Sequence, residues 1–262
     1  MNAENAEKIR IHCFGLRTAL RGAVADAIRR SPILDAVESP AEADAILVDG
    51  CFHEAEGGGP PSPAQFPGIP WIVLSVPAGD RAPGGSFAAE VAGREAALIG
   101  ETERWCVLRC AAFGEELAWS TRYETAGALY TAWQPEGAPW VAVADVVSLV
   151  ERVLVSNDRW GSAFDVTGPA VVSLPSACEM LEEVHGRPVP YVQLDEGTLA
   201  EAMEQVGFDP RYAAERAGYM VWTTSEPCRA LSPVLEHALG RPPAALADYL
   251  VTAARSSIAV SG

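Results

Sequence analysis

Residues Lys8 to Arg30 read KIRIHCFGLRTALRGAVADAIRR. Ile9, Ile11 and Cys13 alternate with polar residues, the two-residue period of a strand. Ala19, Ala23, Val24, Ala27 and Ile28 then recur at helical spacing. Strand, tight turn and helix in that order open a parallel α/β sheet, and the turn is where a dinucleotide sits if one is bound. The turn does not carry the glycine fingerprint G-x-G-x-x-G or G-x-x-G-x-x-G. It reads Phe14-Gly15-Leu16-Arg17-Thr18-Ala19-Leu20-Arg21-Gly22.

The rest of the chain continues the α/β pattern. Trp71–Val76 (WIVLSV) is a continuous apolar run, the mark of a parallel strand buried on both faces. Ala45–Val48, Trp105–Cys110, Phe164–Val166 and Val189–Leu194 read as further strands, with Ile33–Val37 a weaker one. Helices are expected over Ser86–Gly100, Leu174–His185, Thr198–Val206, Pro210–Thr223, Pro233–Leu239 and Leu246–Ala254. Gly186 should end the second of these, and Ser176-x-x-Glu179 reads as its capping box. Asp145 reads as the N-cap of a helix that follows Pro139–Val143. Residues 52–70 are rich in Gly and Pro and hold no helix; a mobile lid and the remnant of a deleted helix both fit that composition.

Composition narrows the function. The 262 residues suit one α/β domain with an appendage, and about half are apolar, enough for a sizeable core. The formal charge of −16 argues against nucleic acid, which needs a basic face. No apolar run reaches the ~20 residues that span a bilayer, and no basic-then-apolar leader opens the chain, so a cytoplasmic protein is expected. The six cysteines form no CxxC pair and the four histidines no HxxxH, so no metal site is expected. Monomer and homodimer both remain open.

Five further segments follow in a recognisable order: Trp105–Leu117 (WCVLRCAAFGEEL), Trp140–Val147 (WVAVADVV), Phe164–Pro169 (FDVTGP), Leu181–Tyr191 (LEEVHGRPVPY), and Gly240-Arg241-Pro242-Pro243 before a last helix. With the opening stretch they resemble the NmrA-like branch of the atypical short-chain dehydrogenase/reductases, over most of residues 8–252. The resemblance implies a Rossmann-like domain over residues 1–160, which reclaims part of 161–195, and a mostly helical substrate region over 161–262. It implies NADP(H) in many members, reduction of quinones or enones in some, and cofactor sensing without catalysis in others.

Against that family the chain shows three losses. Its glycine positions fall on Phe14, Arg17 and Leu20, and a shift by one saves Gly15 but leaves Thr18 and Arg21. A side chain at the second position fills the space the phosphates need. Residues 31–50 are compressed, and only Glu38 stands near where a ribose-reading polar residue belongs. Ser75 stands where the broader superfamily has its serine, but SFAAEVAGREAALIG holds no Tyr-x-x-x-Lys. These losses lead to the expectation of no cofactor. The alternative is NADPH held by another loop conformation, through the helix N-terminus and Arg17 or Arg21.

The ligand cleft should lie at the carboxyl ends of the strands. Its wall would be Ser75, Cys110, Phe113, Glu116, Trp119 and Tyr123, faced by Tyr219 and Trp222. Glu116 or Glu115 would be the acid/base, with Ser75 or Tyr123 as donor. Arg109 reads as half of a structural ion pair. Trp119, Tyr123, Tyr130, Trp133 and Trp140 would line a pocket for a flat ligand or pack the appendage on the core. The expected partner is a small apolar molecule, polycyclic or polyketide-like, acted on by a cofactor-independent cyclase, isomerase or dehydratase. The alternatives are an NAD(P)H-dependent reductase of a quinone or enone, and a non-catalytic binding regulator.

Overall fold

The computed structural model describes residues 8–52, 62–120 and 128–259. The opening stretch folds as its periodicity dictates, into β1 (Ile9–Phe14) and α1 (Thr18–Arg30). The chain then runs through β2 (Leu34–Ala36), β3 (Ala45–Asp49), β4 (Trp71–Ser75), α2 (Phe87–Gly100), β5 (Trp105–Cys110), α3 (Gly114–Ser120), β6 (Leu129–Thr131), α4 (Val143–Ser156) and β7 (Ser162–Val166). It ends with α5 (Leu174–His185), β8 (Tyr191–Gln193), α6 (Glu196–Gln205), α7 (Pro210–Thr223), α8 (Val234–Leu239) and α9 (Leu246–Ala259). Residues 53–61 of the 52–70 loop lie outside the described residues.

Six strands form one parallel sheet in the order β2-β1-β3-β4-β5-β7. Between β2 and β3 the chain makes only a 3₁₀ turn at Pro40–Glu42. That is the shortened N-terminal half of a Rossmann-like sheet. Strand order reverses at β1, so the crevice between the carboxyl ends of β1 and β3 is the topological switch point, where ligands of open α/β sheets bind.

Both faces of the sheet are covered, which is why β3 and β4 are buried along their whole length. Ile11, Leu47, Ile72 and Leu108 pack under Leu20, Val24 and Ile28 of α1 and Val146 and Val150 of α4. Ile46, Val48, Val73 and Val107 pack with Leu98 of α2 on the other side. A separate cluster joins α5, α7 and α9 to the β6–β8 pair, with Trp133 and Trp140 edge-to-face at 5.4 Å in its centre. These two tryptophans are packing residues; they do not line an open pocket. Among the described residues no helix is long and apolar enough to cross a membrane.

Two helix caps differ from the sequence reading. α5 starts at Leu174 as expected, but its N-cap is Ser173, whose Oγ accepts from the Ser176 N–H at 3.3 Å, with Pro175 tolerated in the first turn. The α4 N-cap is Ala142, and Asp145 lies inside the first turn. There it accepts from Arg241 Nη2 and the Ala244 N–H, both at 2.6 Å, and so ties the segment before α9 to the sheet.

Gly218 lets α7 lie close against α2. A Cβ there would stand 2.7 Å from Phe87 Cβ and 3.1 Å from Glu196 Oε1. Arg216 and Tyr219 flank this approach on the same helix. Gly218→Ala should therefore cost about 1–3 kcal/mol of stability, as overpacking does. Urea unfolding of the two proteins checks it, and unchanged midpoints would show that the contact yields freely.

Candidate functional site

The switch point is occupied by a charged network. Gly15 turns the chain out of β1 with φ +64°, a conformation glycine adopts without strain. Arg17 follows, just before α1, and its side chain turns inward between β1 and β3. Arg17 Nε and Nη2 donate to the two carboxylate oxygens of Asp49, at 2.8 and 3.0 Å. The Arg17 N–H also points at Asp49 (3.4 Å), and the Cys51 N–H donates to it at 3.1 Å. Both side chains are at most 1% exposed. Asp49 sits at the end of β3, and its carboxylate lies against the N-terminus of α1, the end that attracts negative charge.

Arg17 Nη1 donates to Glu116 Oε1 at 3.1 Å, and Arg216 of α7 donates to the same oxygen at 2.7 Å. Asp49, Arg17, Glu116 and Arg216 thus form a buried chain of alternating charge from the switch point to the C-terminal helices. Aromatic faces enclose it. The Arg17 guanidinium stands 4.5 Å from the Tyr219 ring centre, 4.6 Å from Phe52 and 5.7 Å from Phe113. Burial works against the Arg17 charge, but Asp49 and Glu116 outweigh it and hold the group protonated. Glu116 Oε2 and Tyr219 Oη are both buried, and among the described residues neither has a hydrogen-bond partner within normal geometry. Burial first, and then the Glu116 charge, push the Tyr219 phenol well above its usual range.

Beyond Arg216 lies a cavity of about 770 Å³, walled by Trp119, Leu199, Met203, Phe208 and Met220, with Arg216 and Ser120 at its polar end. Its size and apolar lining suit a small organic molecule.

The predicted site residues separate into groups. Phe113, Glu116 and Tyr219 meet around Arg17, and Trp119 lines the cavity. Ser75 is buried elsewhere; its hydroxyl donates to Glu95 at 2.7 Å, and Glu95 also holds Arg109 at 2.6 Å, the structural pair expected. Cys110 is buried at the end of β5, where burial pushes its thiol up. Trp222 Nε1 donates to the Pro77 carbonyl at 2.9 Å. Tyr123 lies outside the described residues. Glu115 faces α4, its Oε1 accepting from the Val143 N–H at 2.9 Å. Asp49, Arg216 and Arg94 did not emerge from the sequence. Arg94 clamps the start of the next loop, donating to the Gly50 and Cys51 carbonyls at 3.0 and 2.6 Å. The available signal for Asp49 was a lone carboxylate ending the buried run AILVD.

The three fingerprint positions have different roles. Leu20 is a core residue on the buried face of α1, and Phe14 packs at the edge of the cluster around Val48 and Trp71. Neither plugs the crevice; Arg17 does. With Arg17 and Asp49 paired over the first turn of α1, the residues do not fit a pyrophosphate there. The guanidinium fills the space, and the carboxylate has already taken the position of the anion.

No protein-family model matches the chain, and no curated protein does. Solved structures do resemble it over nearly its whole length. The NADPH-dependent quinone oxidoreductase of Escherichia coli, complexed with NADPH, has a TM-score of 0.68 at 19% identity, covering 96% of this chain and 100% of that one. Triphenylmethane reductase of Citrobacter sp., complexed with NADP(H), has 0.63 at 14%, covering 93% and 99%. The UDP-glucuronic acid 4-epimerase of Bacillus cereus, with UDP-glucuronic acid and NAD, has 0.57 at 8%, covering 96% and 100%. At these identities the likeness establishes the Rossmann-like fold. It corrects the expectation of no cofactor, because these three structures of the same architecture were solved with NADPH, NADP(H) or NAD in place.

Proposed function

We propose that the chain is an NmrA-like reductase that pairs a nicotinamide nucleotide with a flat apolar substrate of the quinone or enone kind. The observation that carries the substrate half is the cavity of about 770 Å³, whose one charged wall residue among the described residues, Arg216, connects it to the switch point. The likeness to NADPH-dependent reductases supports the nucleotide half. The chain's own residues have defined tasks on this reading. The apolar wall excludes water, Trp119 offers a face for stacking, and Arg216 orients the polar end of the substrate. Arg17 must leave Asp49 before a pyrophosphate can reach α1.

Calorimetric titration with NADPH and NADH tests this, alongside loss of nucleotide absorbance with a panel of quinones and enones. The parent protein should bind weakly. Arg17→Gly/Asp49→Asn, which removes the plug and its counter-charge together, should bind at least roughly tenfold tighter, as relief from a competing buried pair allows. If neither protein binds either nucleotide, the reductase reading falls.

A further inference from the structure

We propose that Arg216 makes the cavity selective for an apolar molecule carrying a neutral hydrogen-bond-accepting oxygen, a carbonyl above all, over the matching hydrocarbon and the matching acid. The proposal rests on the cavity being the ligand site and deepens that reading. Arg216 is buried in α7, 1% exposed, yet its side chain lines the cavity. Its guanidinium donates to Glu116 Oε1 at 2.7 Å and more distantly to Ser120 Oγ at 3.4 Å. Among the described residues nothing accepts from its Nε. Three ring centres hold the guanidinium in place, Trp133 at 5.5 Å, Tyr219 at 5.6 Å and Trp119 at 5.9 Å. A donor fixed in an apolar wall with N–H capacity to spare favours an incoming acceptor, because an unmade hydrogen bond there is costly.

Charge decides what kind of acceptor. Glu116 already compensates Arg216, and the chain Asp49, Arg17, Glu116, Arg216 sums to zero. A carboxylate at Arg216 would add an uncompensated negative charge beside Glu116 in an environment that screens little. A carbonyl oxygen takes the free N–H without that cost. The remaining wall, Leu199, Met203, Phe208 and Met220, offers a hydrocarbon body only apolar contact, and flexible methionines adapt to its outline.

The test is a matched set without nucleotide: 2-acetonaphthone, 2-ethylnaphthalene and 2-naphthoate, titrated by calorimetry and by competition. The ketone should bind roughly ten- to a hundredfold more tightly than the hydrocarbon, the range of one hydrogen bond to a charged group. It should exceed the acid by a similar margin. Arg216→Met should erase the difference between ketone and hydrocarbon. If that variant fails to fold, Glu116→Gln/Arg216→Met removes both charges, leaves the Arg17–Asp49 pair, and should erase it equally. Met203→Trp, on the cavity wall away from the charges, should abolish binding of all three. Equal affinity for ketone and hydrocarbon, tighter binding of the acid, a preference that survives loss of Arg216, or ketone binding unchanged in Met203→Trp would each overturn the proposal. Because no nucleotide is present, these results are independent of whether the reductase reading holds.

Discussion

Arg17→Met should destabilise the fold by about 3–5 kcal/mol, the cost of removing one partner from a buried ion pair. The methionine replaces much of the volume, so the loss is mainly electrostatic. Asp49 would keep only the backbone N–H groups of residues 17 and 51, and Glu116 only Arg216. A double-mutant cycle separates the pair from its surroundings. Asp49→Asn keeps an oxygen for both backbone donors and removes the charge. Arg17→Met/Asp49→Asn should therefore recover a substantial part of the loss, since an apolar and amide replacement needs no compensation. Urea unfolding of the four proteins supplies the measurement. A cost below about 1 kcal/mol for Arg17→Met, the range of an exposed pair, would place Arg17 outside the crevice in solution.

The same residue shows where sequence reading reached its limit. A charged side chain at a glycine position reads as a block or as a surface group, and local periodicity says nothing about its direction. Its partners, Asp49 and Glu116, are 32 and 99 residues away, and Glu116 reaches Arg216 100 residues further on. Only the folded sheet brings them together. The sheet itself was legible because its signals are local. WIVLSV and AILV are long enough apolar runs to be buried strands, and α1 carries its core face at helical spacing. Loss of the N-terminal crossover helix was legible as plain shortage of residues between β2 and β3. In α7 the aromatic residues Tyr219 and Trp222 stand out as a possible cleft face, whereas nothing in the local pattern singles out Arg216. Buried charge is the feature that pattern reading handles worst, because patterns assume that charge faces water. The network at the switch point is built largely from it.

Glu115 should make the protein lose stability as pH rises from about 4.5 to about 7. Its carboxyl is buried beneath α4; Oε1 accepts from the Val143 N–H at 2.9 Å, while Oε2 has no partner among the described residues. Burial pushes its pKa up to about 7, the backbone hydrogen bonds pull it partly back, and the charges of Glu116 and Asp145 push it up again. The sign follows from which state holds the proton. Below 4.5 the carboxyl is protonated whether the chain is folded or not, and contributes no pH dependence. Between the two values the folded chain keeps a proton the unfolded chain has released, so each step upward favours unfolding. Above about 7 both states are ionised and the penalty is complete, at most about 3.5 kcal/mol from ~1.4 kcal/mol per unit. Glu115→Gln keeps the acceptor for Val143 and cannot ionise. The variant should match the parent in mild acid and exceed it increasingly up to neutral pH, with the gap level beyond. Other titrating groups cancel in this comparison because both proteins share them. Urea unfolding of parent and variant across that range tests it, and parallel pH curves would mean that water reaches Oε2 and that Glu115 is ionised throughout. A gap that opens as described would instead place a neutral, proton-holding carboxyl beside Glu116 at mildly acidic pH, and so bring less negative charge to the end of the chain that meets Arg216.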